Sequence, residues 1–352
     1  MTQPAKVAPV PLLSRLREHD WSPVERTVLI AVLAVVMGSL FVTAYSVALG
    51  DPVPHRIDAA LVGDQNAHAS TVSAVQGVAD DSLAFRRYAS VPAALQAMDE
   101  QNVYAALDLR SPQPTLYVAS AAGASVARVL ERVSAVDPRV RIVDTHPLGT
   151  TDPNGLEVFY LMLITTIVGF FTVFQVRQNA GGLSLRRWTA FVVALAVTAP
   201  LAFTLVVGRV LGLLDLPVLE SWGILALQLA AAASFTSLMT VLIGRWAVLP
   251  TWLFFVVLGN SASGGAVAPP LLPRPLAFVS QWLPSGATVT ALREAVYFPA
   301  DQHVQPIAVL ATWATVLFTA MLVVSHRVGR SPGDPQAAHD AGHPDLLASE
   351  AG

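Results

Sequence analysis

Long apolar runs, separated by short polar or Gly/Pro-containing breaks, dominate this chain, and a polar–apolar mosaic fills one long interval between the first two runs. A bilayer core takes about 20 mostly apolar helical residues. Six stretches meet or approach that length: 27–49, 158–176, 188–208, 222–243, a shorter one at 246–262, and 306–325. The first begins well inside the chain and exceeds the roughly 7–15 apolar residues of a signal-peptide core, so it reads as an uncleaved span. Within 222–243, Ala226, Ala230 and Ser234 recur every fourth residue, with Ala233 and Ser237 on an adjacent stripe. Small residues let helices approach closely where lipid supplies no hydrophobic push, so this stripe is the expected helix-packing face. Pro200, midway through 188–208, removes a backbone donor and predicts a kink.

Composition strengthens the membrane reading. Of 352 residues, 54% are hydrophobic and 13% charged, against roughly 25% charged in a soluble protein; mean hydropathy is +0.56. With 21 Lys+Arg against 24 Asp+Glu there is no basic excess for nucleic acid. Cysteine is absent, which excludes disulfides, a thiolate nucleophile and Cys-containing metal sites. Lys and Arg of short loops stay cytoplasmic. Lys6, Arg15, Arg17, Arg26, Arg177, Arg186, Arg187, Arg245, Arg327 and Arg330 all fall on one side if both termini are cytoplasmic, and the short connections opposite hold only Arg209, Arg274 and Arg293. Trp188, Trp222 and Trp246 open their runs, where amphipathic rings prefer a membrane border. The expectation is a multi-pass protein of the plasma (cytoplasmic) membrane. Segment 1–26 and a disordered tail, 326–352, would lie inside; His339 and His343 in that tail have i, i+4 metal-like spacing, but its Pro, Gly, Ala and Asp content argues against a fixed site, and no metal is assigned.

Residues 50–156 differ. Charges return, and strand-like runs occur at 56–62, 103–109, 115–119 and 139–144. Val126, Val129, Leu130 and Val133 follow helical spacing, and Ser90 before Val91-Pro92 reads as a helix N-cap. The expectation is a small α/β extracytoplasmic domain. His55, His68 and His146 are scattered, without a His-x-x-x-His pair or a nucleophile elbow, so no catalytic residue is assigned and the chain reads as a non-enzyme.

The remaining stretch, 260–298, is apolar yet broken by Gly and Pro, so it cannot be a straight span. Irregular backbone at membrane depth needs protein or a water-filled cavity around it. A re-entrant or interfacial segment, followed by a helix over 287–297, fits. Asn260, Ser261, Gly264, Gly265, Pro269, Pro284 and Gly286 would shape an outer gate, with Arg293 and Glu294 at its rim near the surface; plain loop geometry and surface charge are the alternative reading of these residues. The interiors of the six runs hold no ionisable group, which disfavours an ion-coupled carrier. No Gly-x-x-x-x-Gly-Lys-Ser/Thr phosphate loop occurs anywhere.

The run Gly259-Asn260-Ser261-Ala262-Ser263-Gly264-Gly265-Ala266-Val267, with Pro269-Pro270 and Leu272-Pro273 after it, and the later Trp282-Leu283-Pro284-Ser285-Gly286-Ala287-Thr288, resemble the carboxy-terminal half of ABC type-2 exporter membrane subunits, in the branch grouped with phage-infection-protein (Pip)-like membrane proteins of Gram-positive and actinobacterial cells. Val103-Tyr104-Ala105-Ala106-Leu107, Leu116 to Gly123 and Phe159 to Phe170 are similar too. The resemblance implies an all-α membrane domain of six transmembrane helices (157–325 holding the last five) that pairs with a second copy as a homo- or heterodimer. It further implies a cytosolic ATP-binding subunit, so that ATP acts through a partner and no cofactor binds the chain directly. The rival reading is a non-transporting membrane scaffold or receptor whose 50–156 domain binds an envelope partner.

Overall fold

The computed structural model describes residues 22–50, 53–179 and 182–329. Lys6, Arg15, Arg17, Arg330, His339 and His343 lie outside them. The chain divides into two compact units, 1–44 and 45–352. Helix α1, Pro23–Leu49, carries the first unit. It begins before the expected residue 27 because Ser22 and Glu25 form a reciprocal capping box: Glu25 N donates to Ser22 Oγ (3.3 Å) and Ser22 N to Glu25 Oε2 (2.8 Å). Its Val24, Val28, Ile30 and Val35 are exposed, an apolar surface of the kind lipid covers.

The α/β part comprises β1 (Ile57–Val62), α2 (Ala69–Val78), β2 (Leu83–Arg87), α3 (Val91–Asp99), β3 (Ala105–Asp108), β4 (Thr115–Val118), α4 (Ala124–Glu131), α5 (Val133–Val136) and β5 (Arg141–Asp144). The strands form one sheet in the order β2-β1-β3-β4-β5. β1 runs parallel to β2 and β3, β4 is antiparallel to β3, and β5 is parallel to β4. Central strands of such a sheet are covered on both faces. In β1, Ala59 and Leu61 point into one core with Val72, Val75, Val126 and Leu130, while Ala60 and Val62 point into the opposite core with Ala94, Ala97 and Met98. The Ser90 cap is present, its Oγ accepting from Ala93 N at 3.3 Å. Strand β2, which the sequence reading missed, is an edge strand whose Arg86 and Arg87 face outward.

Among the described residues, five apolar helical runs are long enough to cross a membrane. Besides α1 these are α6 (Glu157–Asn179), α7 (Leu185–Leu205, continued by a π turn over Val206–Val210), the 43-residue run Val218–Asn260, and α12 (Val304–Gly329). Asp152 starts α6 by accepting from Leu156 N and Glu157 N (2.9 and 3.1 Å). Pro200 sits inside α7 without ending it; the departure from α geometry comes later, at the π turn.

The 43-residue run is not straight. α8 (Val218–Ile243) ends at Gly244, whose φ of +62° is left-handed and open to glycine. Beyond a 3-10 turn, α9 (Val248–Thr251) passes into π geometry over Trp252–Asn260. Phe235 stacks on Phe254 at 5.3 Å and meets Phe255 at 5.6 Å. In a straight helix those positions would be about 28 Å apart, so the chain doubles back at Gly244 as a helical hairpin. The expected run 246–262 is therefore a short partner of α8, with too few residues to qualify alone.

Helix α8 is the centre of the bundle, with Ala231, Ala232, Ala233 and Ser234 fully buried. One close approach to a neighbour lies where a Cβ on Gly169 of α6 would come 3.2 Å from Ala232 Cβ and from Leu229 O. Ser234 is buried, Ala226 and Ala230 are half-buried, and Ala230 packs near Ala314 and Leu317 of α12. Trp188, in the first turn of α7, is 1% exposed, packed between Phe191 and the Arg177 guanidinium, which lies 3.7 Å from its ring centre.

Candidate functional site

After Asn260 the chain makes an irregular loop, then α10 (Arg274–Ser280) and α11 (Pro284–Tyr297). Two helices joined by a tight Gln281–Leu283 turn form a hairpin, and its partners fix its level. Trp282 O accepts from Trp313 Nε1 at 2.8 Å; Trp313 lies nine residues, about 14 Å, into α12. Gln281 O accepts from Gln305 Nε2 at 3.0 Å, near the start of the same helix. At the foot of α11, Thr288 Oγ1 donates to Gln228 Oε1 (3.1 Å), and Gln228 Nε2 donates to Thr166 Oγ1 (2.8 Å). All three side chains are fully buried. Gln228 stands ten residues, about 15 Å, into α8. The hairpin thus dips well below the ends of α8 and α12 and returns.

The hairpin closes only because Gly286 has no side chain. A Cβ there would run into the Ser280 carbonyl, 2.7 Å from its carbon. A Cβ on Gly259 would likewise come 2.8 Å from Ser285 Oγ, so the end of the π stretch packs closely on the foot of α11. Of the residues singled out in the sequence, Asn260 and Ser261 close the π stretch after α9 and are buried, Asn260 beside the Tyr45 hydroxyl. Pro284 and Gly286 open α11.

Gly264, Gly265 and Pro269 occupy the loop, which lies against the sheet. Gly264 has φ +72°, and a Cβ on Gly265 would strike the Phe159 ring at 2.7 Å. Val267, Ala268, Leu271 and Leu272 are buried in the core that contains Leu61 and Leu130. Ser125 Oγ accepts from Ala268 N at 2.9 Å, and Pro270 O from His55 N at 3.0 Å. The loop is a wall of the α/β domain as much as a lid of the bundle.

Of the two residues expected at an outer rim near the surface, Glu294 is buried and Arg293 half-buried. Glu294 is 3% exposed and accepts from His303 N (2.9 Å), with His303 Nδ1 at 3.0 Å, fastening the α11–α12 turn. Arg293 turns inward, donating to Gly264 O at 3.1 Å between Tyr104 and Tyr297. Helical phase explains both: buried Val289 and Leu292 set the inner face of α11, and residue 293 follows on its flank. Burial pushes the Arg293 guanidinium below its ordinary range and the Tyr104 phenol above its own. Burial, then the Asp152 carboxylate, pushes Tyr297 up to about 12.

Sequence reading missed the groups on the far wall, Ser120, Gly123 and Ser125; their signal was the small-residue run Ser120 to Ser125, which permits close approach of another chain segment. Ser120 Oγ also donates to Asp144 Oδ2, and His146 N donates to Asp144 Oδ1 at 3.2 Å. The His146 ring nitrogens instead face Asp99 Oδ1 (3.6 Å) and Thr145 Oγ1 (3.3 Å), so no imidazole is placed to deprotonate the serine. This cluster fastens β5 to the 118–123 turn. Among the described residues no His, Asp and Glu group is arranged to hold a metal ion.

Comparison with protein-family models, curated proteins and solved structures finds no match for this chain.

Proposed function

We propose that the chain is the membrane-spanning permease subunit of an ABC type-2-like exporter, energised by a separate ATP-binding subunit. The observation that supports it most is the α10–α11 hairpin, which enters the bundle to the level of Gln228 and Trp313 and is roofed by a loop of the α/β domain. A non-spanning element broken by Gly and Pro and wedged among spans is suited to a gate, because rocking it opens a path without unpairing a complete helix. Counting the hairpin at Gly244 as two crossings gives six, which puts both termini on one side. The α/β domain and the re-entrant hairpin then share the extracytoplasmic side, and Arg177, Arg186, Arg187 and Arg245 face the cytoplasm.

The spans carry charge only near their ends, as at Glu157, Arg177, Arg186, Glu220 and Arg327. Without a mid-depth titrating group or a nucleotide cradle, the work has to come from a partner, and a second permease copy would complete the path. A tagged full-length chain, purified from its native membranes in mild detergent, should bring with it an ATP-binding protein whose hydrolysis depends on the chain. A preparation that contains no ATPase and is inert to ATP refutes the proposal and leaves the envelope-scaffold reading.

A further inference from the structure

An arginine largely withdrawn from water normally meets a carboxylate, because an uncompensated buried charge is costly. Arg293, part-buried at the edge of the cavity, does not. Among the described residues no Asp or Glu oxygen lies within 4 Å of it, the neighbouring Glu294 being engaged by His303. Its one hydrogen bond goes to the Gly264 carbonyl, which leaves most of the five guanidinium donors unspent. These donors border a mostly enclosed cavity lined by Ser120, Gly123, Gly265 and Tyr297 among others, in which the centre of a water-sized sphere can move over about 10 Å³.

Two further features of the cavity favour negative charge. The Tyr297 hydroxyl oxygen is shielded from solvent and has no hydrogen-bond partner among the described residues. The opposite wall is the N-terminus of α4, where Gly123 supplies no side-chain cap and the amides of Ala124 and Ser125 make no backbone hydrogen bond, the Val126 amide being spent on Gly123 O. Such an end carries partial positive charge. Asp152 and Glu157 act on Tyr297, and Glu294 on Arg293, only through space; Asp152 is spent on capping α6 and Glu294 on His303. Donors therefore converge on this space from three sides.

We propose that the cavity binds one small monovalent anion of halide size, held by the Arg293 guanidinium, the Tyr297 hydroxyl and the amides that open α4. The centre of a water-sized sphere has only this small volume to move in, so the space suits an ion a little larger than water and does not take a lipid headgroup. The anion would join the loop 261–273, α11 and the α/β domain through one shared counter-charge. The site stands independently of the export reading.

The test uses purified full-length protein in detergent micelles, with chloride or the bulky anion gluconate at equal ionic strength, read by chloride NMR line broadening and by thermal unfolding. Chloride should broaden and raise the unfolding midpoint of the native protein, and gluconate should not. Tyr297→Phe should weaken chloride binding about tenfold, which is 1.4 kcal/mol, with the fold retained. Arg293→Gln should abolish the chloride effect. Bromide should give an anomalous diffraction peak in the cavity. If chloride and gluconate act alike on the native protein and no bromide peak appears, the cavity holds only water and the proposal is overturned. Stabilisation by phosphate and not by chloride overturns it equally.

Discussion

Replacing Gly286 with alanine sets two effects of opposite sign against each other. Alanine favours helix over glycine by about 1 kcal/mol, and Gly286 lies within α11. The added Cβ, however, would lie 2.7 Å from the Ser280 carbonyl carbon and 3.0 Å from Ser280 Oγ, where carbon contacts prefer roughly 3.5–4.0 Å. The obstacle is backbone, so α10 and α11 must part by about 1 Å. Overpacking of this kind costs about 1–3 kcal/mol; with little freedom to yield, the upper end applies, and the net loss is about 2 kcal/mol. Gly223 of α8 is the control, since a Cβ there meets nothing within 4 Å, and Gly223→Ala should gain up to about 1 kcal/mol. Denaturant unfolding of the full chain in one detergent, followed by tryptophan fluorescence, measures both; Trp282 reports from the hairpin turn itself. A Gly286→Ala protein as stable as Gly223→Ala would refute the hairpin geometry.

Other substitutions probe other joints. Gln228→Ala removes the bonds to Thr166 and Thr288 and leaves a buried void, so it should cost about 2–4 kcal/mol in the same unfolding assay; Thr288→Val, which loses one of those bonds at nearly constant volume, should cost about 1 kcal/mol. Asp137, hydrogen-bonded by Arg139 and by Thr71 and held at about 2, is depressed from an ordinary value of about 3.9. Its contribution to stability is complete above about pH 5 and disappears as pH falls through 4 towards 2. The stability difference between native protein and Asp137→Asn, measured from pH 6 to 3, should therefore shrink on acidification. Ser90→Ala should cost about 1 kcal/mol through loss of the α3 cap, measured as a lower unfolding midpoint of the α/β part.

The apolar runs were legible because a helix long enough to cross lipid leaves an uninterrupted stretch that few other structures require. The central strands were legible for a related reason: β1 and β3 are covered on both faces and read as continuous apolar segments. Strand β2 was not, since an edge strand needs only Leu83 and Phe85 inward, and Arg86 and Arg87 break its pattern. The break at Gly244 and the early start at Ser22 are local signals. One is a glycine beside Arg245; the other is a Ser-x-x-Glu box that the apolar count alone overlooked.

What the sequence could not convey is which neighbour each helix face meets. The stripe at Ala226, Ala230 and Ser234 was visible, but the close contact of Leu229 and Ala232 with α6 was not, because it depends on Gly169 of that other helix. Arg293 was misplaced for the same reason. Its neighbours Gly264, Tyr104 and the turn at Gly123 are far away in the chain, and only the folded loop brings them together.

The sidedness of the α/β domain carries the whole account, and the absence of cysteine makes it directly measurable. Single-cysteine variants Asp64→Cys, in the α/β domain, and Gly182→Cys, beyond α6, are separated by a helix of about 34 Å. In intact cells a membrane-impermeant maleimide should label the first and reach the second only after permeabilisation. Labelling of both from outside, or of Gly182→Cys alone, would contradict the arrangement proposed here.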